Sequence, residues 1–273
     1  MKLDCEATTT DKAIRFRAAT LLIVAAASVV LFGWLATEIL EHQSLVLDSA
    51  IRNAVHQQAT PPLTILMLGL SLLGSADVLL PLVVVTLIVM AGAGIRRQAI
   101  LLVVSLTGAA VLDTTLKLAF HRARPQPFFN LPAPGDYAFP SGHAMVSLCF
   151  YITLAWIVSG RLATRWSRVA VWTGAALLIG LIGFSRVYLG VHYPTDVLGG
   201  YAAGLVWVAS VAKVRNWPRL TAANPNSTAD SAGSRISHSS NGQLIPAAAA
   251  SPFPDAGSRA RRTLREDHAS PSR

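Results

Sequence analysis

The sequence predicts an all-α bundle of six membrane-spanning helices. Three observations carry that reading. Of 273 residues, 52% are hydrophobic and only 14% charged, with a mean hydropathy of +0.47; an ordinary soluble domain carries about 25% charged residues. Apolar runs near the length that crosses a bilayer, about 20 residues, recur up to residue 213. Basic residues gather in alternate breaks between those runs, as they do in a chain whose positive loops stay on one side of a membrane.

In chain order, residues 1–17 are polar and hold Lys2, Lys12, Arg15 and Arg17, a cytoplasmic N-terminus. The first span is expected at about Ala18–Thr37. A cleaved leader would carry an apolar stretch of only about 7–15 residues. This run is longer and has Ala25-Ala26-Ala27 inside it, which favours an uncleaved anchor. Residues 38–62, with Glu38, Glu41, Asp48 and Arg52, suit an amphipathic surface helix ended by Pro61-Pro62. Leu63–Leu73 is apolar but too short to span, so an interfacial or short buried helix is expected before the break at Gly74-Ser75-Ala76-Asp77. The second span is expected at about Val78–Ala93, with Pro81 in its first turn, where a missing N–H does little harm. Gly94-Ile95-Arg96-Arg97 leads to the third, about Ala99–Phe120, and the Pro-rich segment Arg124–Pro140 to the fourth, about Gly142–Ser159. Arg161, Arg165 and Arg168 precede the fifth, about Val169–Val187, and Gly190–Pro194 precede the sixth, about Thr195–Ala212. Residues 18–213 thus form one membrane domain. Residues 214–273 are rich in Ala, Ser, Asn, Pro and Arg without periodicity and are expected to be a disordered, basic cytoplasmic tail.

The net charge of +9 raises the question of a nucleic-acid partner. The basic residues sit beside apolar runs or in the tail and no nucleic-acid motif occurs, so membrane topology accounts for them. Both termini are expected in the cytoplasm of a bacterial plasma membrane, with the opposite face extracytoplasmic. Cys5 and Cys149 lie in unlike settings, one polar and one apolar, and no disulfide is expected. Neither has a Cys or His at metal-ligand spacing, so neither zinc nor redox chemistry is expected.

The extracytoplasmic ends of the spans collect the ionisable residues. Lys117 ends the third span, Arg124-Pro125 follow, Pro140-Ser141-Gly142-His143 open the fourth, Ser185-Arg186 end the fifth, and His192 and Asp196 begin the sixth. Phosphoryl transfer needs positive charge around the phosphate oxygens, an in-line nucleophile and an acid for the leaving group. Lys117, Arg124 and Arg186 can supply the charge, arginine through a planar fork that matches two oxygens. Ser141 and Gly142 sit where the N–H groups of a helix start are free, an anion site that the glycine leaves open to close approach. His192 and Asp196, spaced i, i+4, can share a helix face, so that Asp196 holds Nδ1–H and leaves Nε2 free to attack phosphorus. His143 can protonate the leaving oxygen and then activate water.

The patterns Lys-x6-Arg-Pro (Lys117–Pro125), Pro-Ser-Gly-His (Pro140–His143) and Ser-Arg-x5-His-x3-Asp (Ser185–Asp196) together resemble the type 2 phosphatidic acid phosphatase superfamily, which includes vanadium haloperoxidases. Every signature position is present, and the resemblance covers about residues 40–212. It implies that His192 is the nucleophile, Asp196 its orienting partner and His143 the general acid. It implies that Lys117, Arg124, Ser141, Gly142 and Arg186 bind phosphate, with no divalent metal and no cofactor. The sequence agrees, offering one motif aspartate and no carboxylate cluster for magnesium.

Blander roles compete. Lys117 and Arg124 alone would read as snorkelling boundary residues, Ser141 as an N-cap. Asp113, inside the third span, is expected to pair with Lys117 and hold it in place rather than to react. His121, Arg122, Asp136 and Tyr188 are near the site but outside the pattern, either touching substrate or solvated. Gly199, Gly200 and Gly204 are expected to permit close helix packing, and Trp34, Trp156 and Trp207 to pack or sit at the interface. The function expected is hydrolysis of a lipid phosphate or diphosphate: a polyprenyl diphosphate such as undecaprenyl diphosphate, phosphatidic acid, or phosphatidylglycerol phosphate. Phosphotransfer to another acceptor, a non-catalytic transporter or scaffold, and a vanadate haloperoxidase are the alternatives. The oligomeric state is not legible.

Overall fold

The computed structural model describes residues 2–41, 44–132 and 134–222, with side chains for 19–41, 44–132 and 134–213. Cys5 and all of the tail beyond 222 lie outside the described residues. Among those described, all regular structure is helical: α1 (Lys2–Leu40), α2 (Ser44–Gln57), α3 (Pro61–Leu72), α4 (Ala76–Gly92), α5 (Arg96–Phe120), α6 (Gly142–Ser159), α7 (Arg165–Tyr188) and α8 (Pro194–Ala222).

Five segments are long and apolar enough to cross a bilayer: Ala19–Leu40, Arg96–Phe120, Gly142–Ser159, Arg165–Tyr188 and Pro194–Lys213. The pair α3 and α4, bent by 48° at the break between them, passes the same test when taken together and brings the number to six if it counts as one span. The short apolar segment expected before the second span is α3, a helix of its own packed on α7. The break falls at Gly74, where a Cβ would lie 2.5 Å from Ile182 and 3.5 Å from the His143 ring. The missing side chain lets α6 and α7 close on the bend.

Two sequence boundaries need correction. Pro81 is not in a first turn: α4 begins at Ala76, after Ser75 takes the extended N-cap conformation, so Pro81 falls inside the helix and provides no N–H for the Asp77 carbonyl. In addition, α8 runs on to Ala222 rather than stopping near 213; Lys213, Val214 and Arg215 carry no breaker, and basic residues suit a helix C-terminal half.

The most buried helix is α6. In its apolar window 61% of residues are buried, against 17% in α5 and α7, so the bundle is built around it. Met145, Phe150 and Cys149, a free thiol, pack inside against Leu102, Ala109 and Ile182. The outward faces expose large apolar side chains such as Val30, Ile88 and Trp166, a surface suited to lipid rather than to water. Glycines let α8 approach α6, as expected: a Cβ on Gly200 would lie 2.6 Å from the Ser141 carbonyl, and one on Gly204 3.1 Å from Leu148. Trp207 packs over Gly108 and donates Nε1–H to the Ser105 carbonyl at 2.8 Å.

Candidate active site

The C-terminal ends of α5 and α7 and the N-terminal ends of α6 and α8 meet at one end of the bundle. Backbone bonds fix them. Ser141 N–H donates to the Asp196 carbonyl at 2.9 Å, joining the starts of α6 and α8. His121 ends α5 in the left-handed conformation, φ 47°, turning the chain into the loop that carries Arg122 and Arg124. That loop is stitched down where Phe128 N–H meets the Leu189 carbonyl at 3.0 Å. Gly190, φ +74°, must be glycine there, because a Cβ would lie 2.9 Å from the Phe128 nitrogen.

His192 lies in the short turn before α8 and is 1% exposed. Its Nδ1 is 3.4 Å from Asp196 Oδ2, and its Nε2 is 2.8 Å from Arg124 Nη1. A guanidinium has no lone pair to offer, so Nε2 must be the acceptor and Nδ1 carries the proton. The tautomer follows from the contacts: Nδ1–H faces the carboxylate, and the Nε2 lone pair points at the cation expected to hold phosphate. Burial holds the His192 ring down at about 4; the Asp196 hydrogen bond and charge oppose that shift, and the charges of Arg124 and Arg186 add to it.

Around Nε2 stand the other residues singled out by the sequence. Lys117 Nζ is 2.9 Å from Asp113 Oδ2, the i, i+4 pair, and 2.7 Å from Asp136 Oδ2. Arg124 Nη2 is 2.6 Å from Asp136 Oδ1, and its Nη1 also donates to the Val191 carbonyl at 3.0 Å. Arg186 Nη1 donates to Ser71 Oγ at 2.5 Å, while its buried Nε has no protein partner. Ser141 Oγ is also buried and without a partner, and it makes no capping bond to α6. A capping role therefore does not account for its side chain. Two buried polar groups without a protein partner, one of them at the start of α6, are what an oxyanion could satisfy. A Cβ on Gly142 would lie 3.0 Å from both Asp113 oxygens, so only glycine fits beside that pair. His143, the second residue of α6, is within electrostatic reach of Arg186, His192, Arg124 and Lys117. Among the described residues, no three His, Cys, Asp or Glu side chains gather as a metal ion needs.

Three residues were not given roles in the sequence. Asp136, read as a solvated or substrate-touching neighbour, bridges Lys117 and Arg124 with both its oxygens. Burial alone would push its carboxyl up, but the Lys117 hydrogen bond and charge, with Arg124, bring it below the ordinary carboxylate range. Its oxygens thus sit on two of the cations expected from the sequence to hold phosphate. Asp136→Asn is expected to tighten inhibition by inorganic phosphate about two- to ten-fold, because half-exposed ion pairs are each worth about 0.2–1 kcal/mol; an unchanged inhibition constant would contradict the competition. Arg122 is neither solvated nor free for substrate: it is 8% exposed and ion-paired to Asp48 and Asp196. Asp48, 1% exposed, was placed on a surface helix with no role. The one signal in the sequence was the Ser44–Asp48 spacing, which puts two polar groups on one face of α2.

Comparison with known proteins gives the family of the chain. A family profile described as the PAP2 superfamily matches residues 98–219. Phosphatidylglycerophosphatase B of Bacillus subtilis is 36% identical over 163 residues, covering 58% of this chain and 78% of that protein. Undecaprenyl-diphosphatase of Sulfolobus acidocaldarius is 34% identical over 119 residues, covering 42% of this chain and 53% of that protein. The crystal structure of a transmembrane PAP2-type phosphatidylglycerolphosphate phosphatase from Bacillus subtilis superimposes with a TM-score of 0.64 at 32% identity, over 71% of this chain and 96% of that one. Helical architecture, membrane-length segments and sequence blocks lead to the same place, and the chain belongs to the PAP2 superfamily.

Proposed function

We propose that this integral-membrane lipid phosphatase works through a phosphohistidine on His192, with arginine and lysine side chains rather than a divalent metal ion neutralising the phosphate. The observation that carries the reading is the 2.8 Å approach of Arg124 to His192 Nε2, which puts a phosphate-binding cation beside the nucleophilic lone pair. Lys117, Arg124 and Arg186 hold the phosphate oxygens, with Ser141 Oγ and the N–H groups at the start of α6. Nε2 bonds to phosphorus as the bond to the lipid oxygen breaks, and His143 gives its proton to that oxygen. The arriving phosphate supplies the negative charge that supports an imidazolium at His143. Neutral His143 then takes a proton from water, whose oxygen attacks phosphorus; the N–P bond breaks and the electron pair returns to Nε2. Asp196 faces the positive charge that grows on the His192 ring.

The distribution of basic residues supports cytoplasmic termini and an extracytoplasmic site at headgroup depth, with residues 18–213 as the catalytic unit. That depth suits a substrate whose phosphate lies at the interface and whose tail stays in lipid. The relatives act by name on phosphatidylglycerophosphate and undecaprenyl diphosphate, so these two lipids are the first to test. Protein purified in detergent is expected to release phosphate from at least one of them, or from phosphatidic acid, with EDTA present. Release only in the presence of an acceptor lipid would mean phosphotransfer; loss of release in EDTA would overturn the metal-free mechanism.

The pH profile offers a second check. Only neutral His192 attacks, and burial with Arg124 and Arg186 outweighs Asp196 in holding the ring near about 4. The limb of kcat/KM that reports this base is therefore expected near pH 4, with His192 already deprotonated from there upward. A base limb near 6.5 that is not the substrate phosphate's own titration would contradict this assignment of His192.

A further inference from the structure

Behind His192, on the side away from the phosphate site, two buried carboxylates flank one buried guanidinium. Arg122 Nη1 donates to Asp196 Oδ1 at 2.5 Å and to Thr195 Oγ1 at 2.8 Å. Arg122 Nη2 donates to Asp48 Oδ2 at 2.6 Å and to Ser44 Oγ at 3.2 Å. Asp48 also accepts from Thr195, from the backbone N–H at 3.1 Å and from the hydroxyl at 2.6 Å. The Arg122 guanidinium lies 4.5 Å from the centre of the Tyr193 ring. The three ionised side chains are 1%, 6% and 0% exposed for Asp48, Arg122 and Asp196. Helix α2 thus grips the 193–196 turn, from outside the segments that carry the sequence pattern.

We infer that Asp48 and Arg122 are positioning residues for the nucleophile: they fix Asp196, and through it the His192 ring, and they set the charge that Asp196 presents. This rests on His192 being the nucleophile. The geometry divides the Asp196 carboxylate between two tasks. Oδ1 is taken by Arg122, and Oδ2 accepts the Tyr193 N–H at 2.8 Å and faces His192 Nδ1. The carboxylate cannot rotate without losing the guanidinium. Charge matters as much as direction. Arg122 alone would cancel Asp196 and leave nothing to offset the cation that forms when His192 Nε2 bonds to phosphorus. Asp48 restores the balance: two carboxylates around one guanidinium leave one net negative charge in the cluster. That charge is buried, where it is screened little by water, and lies on the Nδ1 side of the ring. The arrangement stabilises the transition state more than bound substrate, so its loss should fall on kcat rather than KM.

Asp48→Asn removes one charge with almost no change of volume. It is expected to lower kcat for lipid phosphate about ten-fold or more, within the range by which residues of one hydrogen-bond network couple, while KM stays within about two-fold. In an Asp196→Asn background the same change is expected to have a clearly smaller effect on single-turnover rate, because only its through-space charge, and not the grip on Asp196, is left to lose. Thermal unfolding in detergent monitors folding. Should Asp48→Asn fail to fold, Arg122→Lys, which keeps the charge but cannot bridge two carboxylates, takes its place in the cycle. An equal loss in both backgrounds, a rise in KM at constant kcat, or an unchanged kcat would overturn the inference. His192→Asn run beside them separates the two ideas. Release that survives His192→Asn defeats the nucleophile itself; inactive His192→Asn with fully active Asp48→Asn defeats only the role of Asp48 and Arg122.

Discussion

His192→Asn is expected to leave less than about one-thousandth of the native rate of phosphate release, with protein that still folds and still binds phosphate. The size follows from the job: removing a nucleophile held by its own orienting partner eliminates the covalent route, and losses of about 10³-fold or more are usual when one member of such a unit goes. Folding should survive because Asn can still bond from its amide, and because the Asp48–Arg122–Asp196 cluster holds the turn without the ring. The decisive companion measurement is trapping. Native protein quenched in alkali during turnover of labelled substrate should carry label on His192, since phosphohistidine survives base and is lost in acid. Label on another residue, or rates within ten-fold of native in the variant, would refute the assignment.

The second large effect belongs to His143. His143→Asn is expected to slow hydrolysis of a lipid phosphate about 10²–10⁴-fold, the usual worth of a positioned general acid and base. The informative comparison is between leaving groups. A p-nitrophenyl ester departs without a proton, so its first step should be nearly normal in the variant. The second step still needs water activated, and there the variant should stall: a burst of p-nitrophenol followed by accumulated phosphohistidine. Equal slowing of both substrates with no burst would mean that His143 acts on binding alone.

The membrane segments were legible because a lipid-facing helix must be apolar along its whole length, and the breaks between α5, α6, α7 and α8 fall where the basic and Pro-Gly segments indicate. The three motif blocks were legible because each lies within one short stretch of chain. Less was visible wherever the meaning of a residue depends on a distant partner. Asp48 has the profile of any polar residue on an amphipathic helix, and only folding brings it 74 residues along to Arg122. Arg122 itself reads as one more cation beside Arg124; its burial is set by α2, and nothing local announces it. The apolar segment before Gly74 was legible as a short helix, α3, but its packing on α7 was not, since that too depends on a distant partner.

The hydrogen bond from Ser141 to the Asp196 carbonyl has a wider consequence. The two histidines are carried by α6 and by the turn entering α8, and those helices are locked together at their first residues and again where Gly200 meets Ser141. Their separation is a property of the bundle and owes nothing to the segment between Arg124 and Pro140. The spacing of nucleophile and acid is thus set apart from the anchoring of the cations. The frame sets the distance between the two histidines, while Asp136, in the loop from Arg124 to Pro140, ties down Lys117 and Arg124. A change of length in that loop is therefore expected to disturb the two cations while leaving the histidine pair in register.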